Sequence, residues 1–160
     1  MARSDVAEEM GIRVEYDPEM HSNGEMHTIF ISHRWLSPNP DPLKAHPDVP
    51  DPSEHPGDWE NPHPKWETIN QAAEKISQQN GWDVSTVYLW YDFLSIDQKD
   101  VEQQTLGIKS LLAYIARSDT VLIPSMHGAL DYNYVNTVDA HQIQVYGDRA
   151  WCRLEAFTAW

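Results

Sequence analysis

The 160-residue chain is short enough for a single domain and long enough to bury a sizeable core. Its formal net charge of −14, from 11 Lys and Arg against 25 Asp and Glu, argues against a nucleic-acid surface, which needs clustered cations to displace counterions, and against an anionic membrane for the same reason. One cysteine, no signal-peptide pattern at the N-terminus and no apolar run near the roughly 20 residues that span a bilayer lead to the expectation of a reduced, cytoplasmic protein.

Residues 1–26 are charged and polar, interrupted by the alternation Ile12-Arg13-Val14-Glu15-Tyr16, which predicts an edge strand within an N-terminal extension. His27-Thr28-Ile29-Phe30-Ile31-Ser32-His33 is too uniformly apolar and β-branched for a half-exposed strand and reads as a strand buried on both faces. It ends in the cluster Ser32-His33-Arg34-Trp35, where a strand of an open α/β sheet meets its ligand crevice; in the alternative, Trp35 caps the core and Arg34 is solvated. Residues 37–64 hold nine of the eleven prolines, a density that no helix or central strand survives, so an irregular, exposed loop is expected. His46, Asp48, His55 and His63 in that stretch lack any paired ligand spacing or a cysteine partner, and no metal is expected there.

Lys65 to Asn80 predicts a helix, with Trp66, Ile69, Ala73 and Ile76 at helical intervals and Gly81 as its stop. Val84 to Phe93 predicts a second strand closing on Asp92, followed by the polar group Ser95-Ile96-Asp97-Gln98. Ile108, Leu111, Leu112 and Ile115 predict a helix over 106–117, and Thr120-Val121-Leu122-Ile123 centres a third strand over 119–125. Residues 126–146 read as irregular. In Tyr146-Gly147-Asp148-Arg149-Ala150-Trp151-Cys152-Arg153-Leu154-Glu155-Ala156-Phe157, Asp148 is the expected N-cap of a helix with Ala150, Leu154 and Phe157 on one face. Trp151 and Glu155, four apart, share a second face and set a carboxylate beside an aromatic wall; an ordinary helix glutamate paired with Arg149 or Arg153 is the alternative.

The alternation of strands and helices implies parallel strands joined by right-handed crossovers, hence an α/β fold with a doubly wound, mainly parallel sheet flanked by helices. The polar strand ends and Glu155 then fall on the carboxyl edge of that sheet, where Ser32, Asp92 and Glu155 are expected to converge on one crevice.

Three boxes in order carry a family resemblance. Ile29-Phe30-Ile31-Ser32-His33 resembles the opening strand box of TIR domains, and Tyr114-Ile115-Ala116-Arg117-Ser118-Asp119-Thr120-Val121-Leu122-Ile123 resembles their helix-to-strand segment. Trp151-Cys152-Arg153-Leu154-Glu155 is similar to the W-C-x-x-E box of plant and microbial members. Leu89-Trp90-Tyr91-Asp92-Phe93-Leu94-Ser95-Ile96-Asp97-Gln98 resembles the related fungal heterokaryon-incompatibility domain more closely still. The resemblance covers about residues 27–160, with 37–64 as an insertion and 1–26 as an extension, and implies a flavodoxin-like fold.

The resemblance also implies cleavage of the nicotinamide–ribose bond of NAD, bound as substrate with no separate cofactor, in defence or cell-death signalling such as anti-phage immunity. Glu155 matches the catalytic glutamate, and Ser32, His33, Arg34, Trp35, Asp92 and Trp151 are the expected substrate-binding residues. A non-catalytic adaptor module that assembles with other chains is the alternative use of the same family. Three departures stand out. No G-x-G-x-x-G follows any strand, so a dehydrogenase-type grip on NAD is not expected. The insertion after the first strand is longer than usual. The chain stops at Trp160, where the family continues with further strands, so either an excised part or a compact variant is expected, its sheet completed by the strand at 12–16 or by self-association or another chain.

Overall fold

A computed structural model describes residues 4–33, 64–97, 99–124, 154–155 and 158–159. All of the predicted loop at 37–64 except Pro64, which is helical, the irregular stretch at 126–146 and the Asp148 cap lie outside the described residues, as do Arg34, Trp35 and Trp151.

The chain begins with two short helices, α1 (Ser4–Glu9) and α2 (Pro18–Ser22). Asp17 starts α2 by accepting bonds from the backbone N–H groups of Glu19 and Met20, with Pro18 at the first helical position, where a missing N–H costs nothing. The expected edge strand at 12–16 does not form: these residues pair with no strand. Ile12 and Val14 stand 56 % and 57 % exposed, while Arg13 donates to Glu8 and to the Ser95 carbonyl. Alternation alone is not enough for a strand, because the ladder needs a partner whose N–H and C=O groups are open to it.

Strand β1 (His27–Ile31) is followed by helix α3 (Pro64–Asn80) and strand β2 (Val87–Trp90). The stop expected at Gly81 is met: with φ at +70° it lets its own N–H reach the Gln78 carbonyl and the Trp82 N–H reach that of Ser77, the two bonds of a Schellman ending. The second strand starts three residues later than predicted. Asp83 accepts from the Ser85 N–H and hydroxyl and winds Val84–Thr86 into a 3-10 turn, a local bond that competes with the ladder. It also ends sooner, since Asp92–Ser95 closes into the one-turn helix α4.

The helix predicted over 106–117 is two helices, α5 (Val101–Lys109) and α6 (Leu111–Arg117), broken at Ser110. Asp100 caps α5 through the N–H groups of Glu102 and Gln103. The break lets α6 bury Leu111 and Ile115 against the sheet, while Leu106 and Ile108 of α5 remain exposed. Within α5, Gly107 passes so close to Ile96 that a Cβ would lie 2.9 Å from its Cγ2. Strand β3 (Thr120–Leu122) completes the described sheet.

All strand pairs are parallel, in the order β2-β1-β3. The register sets Ile29 beside Leu89 and Thr120, and Phe30 beside Trp90 and Val121. Side chains alternate across the sheet, so β1 feeds two separate cores. Ile29 and Ile31 pack with Ile69 of α3, Tyr91 and Phe93 on one face. Phe30 packs with Leu111 and Ile115 of α6 on the other, its ring stacked on Trp90 at 4.6 Å. Helices therefore cover both faces, as expected for a central strand that is apolar throughout. The connection from β1 steps outward to β2, and the next crosses back over β1 to β3, so the winding reverses at the carboxyl end of β1, where open α/β sheets form their ligand crevices.

Candidate functional site

Five elements deliver side chains to that edge. Strand β1 runs on through a ladder bond from the Ser32 N–H to the Leu122 carbonyl, 3.0 Å, which fixes Ser32 and directs His33 next to it. Ser32 is fully buried, and only 2 % of the His33 side chain is exposed. Strand β2 delivers Tyr91, also fully buried, and α4 begins at Asp92, where the backbone turns from extended to helical. Helix α3 delivers Lys65 from its first turn, and the helical residues Leu154 and Glu155 bring the last carboxylate.

The Ser32 hydroxyl donates to Glu155 Oε2, a bond between residues 123 apart in sequence. Beside it, His33 Nε2 lies 2.9 Å from Asp92 Oδ1, and His33 Nδ1 lies 3.4 Å from Lys65 Nζ. The His33 ring is stacked on Tyr91 with centroids 4.2 Å apart and planes 11° from parallel, and Trp66 meets Tyr91 edge-on at 6.4 Å. Asp92 Oδ1 also accepts from the Phe93 N–H at 2.6 Å, so the carboxylate is oriented from its own helix as well as from His33. Of the three residues expected to converge, Ser32 meets Glu155, and Asp92 meets His33, the residue that follows Ser32 in the chain. Glu155 is half-buried rather than a solvated surface glutamate.

Family models, curated proteins and solved structures offer no match to this chain. A carboxylate bonded to a buried hydroxyl can hold a ligand hydroxyl and oppose a developing positive charge, and both effects are stronger where water is excluded. Among the described residues no group of three or more His, Cys, Asp or Glu is placed to hold a metal ion, and His46, Asp48, His55 and His63 lie outside them.

Lys65 is a site residue that the sequence reading passes over. It is 2 % exposed, as deep as the isoleucines. The available signal was its spacing: Lys65, Ile69, Ala73 and Ile76 form one face of α3, and Ile69 and its neighbours on that face pack on β1. Placing Trp66 in the stripe instead hides this, and Trp66 proves to be half-buried at its flank. Tyr91 was legible only as a strand residue. Its role as the plane on which His33 lies depends on the register of β2 against β1.

Proposed function

We propose that the chain is a TIR-like NAD glycohydrolase or cyclase with a flavodoxin-like sheet, in which Glu155 is the catalytic carboxylate and Ser32, His33, Arg34, Trp35, Asp92 and Trp151 serve the nucleotide. The observation that carries this proposal is the bond from the Ser32 hydroxyl to Glu155, which joins the final helical segment to the reversal point of the sheet. The chemistry asks little of acid catalysis. When the nicotinamide–ribose bond breaks, its electron pair passes to the pyridinium nitrogen and nicotinamide leaves as a neutral base, so no proton has to reach the leaving group, unlike an ordinary glycoside. The ribosyl carbon becomes an oxocarbenium ion, which water captures with loss of a proton, or which an internal nucleophile captures to close a ring. The Glu155 carboxylate opposes the positive charge as it develops, and Ser32 fixes the direction of that carboxylate before the substrate arrives.

The test is free nicotinamide released from NAD by concentrated protein, with and without artificial clustering, compared with Glu155→Gln. The amide keeps a carbonyl acceptor for the Ser32 hydroxyl and removes the charge, so the rate is expected to fall about 100- to 1000-fold with the fold retained. Undiminished turnover by the glutamine variant removes Glu155 from the chemistry. No release of nicotinamide by either protein, even when clustered, makes the non-catalytic interaction module the better account.

A further inference from the structure

The chain Lys65–His33–Asp92 has a direction that follows from donor chemistry alone. A lysine ammonium has three donors and no acceptor. With Lys65 Nζ 3.4 Å from His33 Nδ1, that ring nitrogen must present its lone pair, which puts the ring proton on Nε2, where it donates to Asp92 Oδ1 at 2.9 Å. Water has little chance to supply other partners, since 2 % of the His33 side chain is exposed. Rotating the ring by half a turn would place carbon atoms where both nitrogens now bond, and the stack on Tyr91 holds the ring plane in the meantime. Ile69, one turn along α3 and buried on Ile29 and Ile31, holds the first turn of the helix where Lys65 can reach.

We propose that Lys65 is a positioning residue: it locks His33 in the tautomer protonated on Nε2 and so fixes the His33–Asp92 bond at the residue that follows Ser32. The tautomer stands on geometry alone, whereas its consequence for turnover rests on the NAD-cleaving function proposed above. His33 follows Ser32 directly, so a ring free to change partners would disturb the backbone that aims the Ser32 hydroxyl at Glu155.

The experiment is a long-range proton–nitrogen spectrum of the full chain, with His33 assigned among the eight histidines by its loss in His33→Gln. The wild type is expected to show a protonated Nε2 and a bare Nδ1. In Lys65→Met, which keeps the length of the stem and removes the donor, the ratio of the two tautomers should shift toward Nδ1–H by about tenfold or more, as expected for loss of one charge-assisted hydrogen bond. Lys65→Arg, which keeps donors, should restore the wild-type pattern. In parallel, kcat for nicotinamide release should fall about 100-fold in Lys65→Met at unchanged KM, the scale of loss that a 1 Å misplacement produces. A wild-type His33 protonated on Nδ1 overturns the proposal, and needs no Lys65 variant to fold. So does a Lys65→Met protein with the wild-type tautomer ratio, whatever its activity. A wild type that releases no nicotinamide defeats the NAD function only, and the tautomer spectrum still decides the role of Lys65.

Discussion

The Ser32–Glu155 bond can be weighed without any substrate. A hydrogen bond from a buried hydroxyl to a carboxylate contributes about 1.5–3 kcal/mol, more than a neutral pair, because removing the donor leaves a partly desolvated charge less well satisfied. Glu155 is half-buried and Ser32 fully buried, so the bond lies between the surface and interior limits. Ser32→Ala is therefore expected to lower stability by about 1.5–3 kcal/mol, or about 3–12 °C in Tm at this chain length. The decisive measurement is a double-mutant cycle of Ser32→Ala and Glu155→Ala by urea unfolding. Each single variant also loses other contacts, but the coupling term isolates the pair. A coupling of at least about 1 kcal/mol is expected. Additivity within about 0.5 kcal/mol would mean that the hydroxyl and carboxylate do not meet in solution, and the site would lose the contact that holds its last helix to the sheet.

Two further outcomes test the frame around the site. Phe30→Ala should cost about 3–5 kcal/mol, since the ring is fully buried between Leu111, Ile115 and Trp90, while Leu112→Ala on the exposed side of α6 should stay within about 0.5 kcal/mol; equal effects would refute the two-core arrangement. The Ser85 N–H, and after it the Ser85 hydroxyl, hold the Asp83 carboxyl below its ordinary value of 3.8. A lowered folded value means that Asp83 stabilises the fold above that pH and loses its contribution as pH falls through the folded value. The stability difference between wild type and Asp83→Asn should accordingly shrink as pH drops below 3.8, and an Asp83 midpoint at or above 3.8 in a carbon-detected titration would contradict the cap.

Much of the frame was legible in the sequence because its signals are local. The uniform β-branched run of β1, the period of α3 and the stop at Gly81 are properties of neighbouring residues, and the structure repeats them nearly to the residue. Local signals were also present where the sequence reading missed: the Asp83 carboxylate accepts from the Ser85 N–H and hydroxyl, and that of Asp100 from the Glu102 and Gln103 N–H groups, which is why β2 starts late and α5 starts early. The edge strand at 12–16 failed for the opposite reason. Its alternation is genuine, but a strand exists only where another backbone is open to it, and no stretch of sequence encodes its partner's availability.

The site follows the same division. Residue types alone marked Ser32, Asp92 and Glu155 as polar groups at the ends of apolar elements, and strand alternation put those ends on one edge of the sheet. Which atoms meet was decided by tertiary structure: β1 lies between β2 and β3, so the serine just past β1 touches a glutamate 123 residues later and the histidine after it reaches the aspartate that starts α4, just past β2. Lys65 shows the limit most clearly. Its place in an apolar stripe is written in its spacing, but whether a lysine there reaches outward to water or inward to an imidazole depends on what the facing strand ends present, and only the packing of α3 on β1 brings His33 within reach.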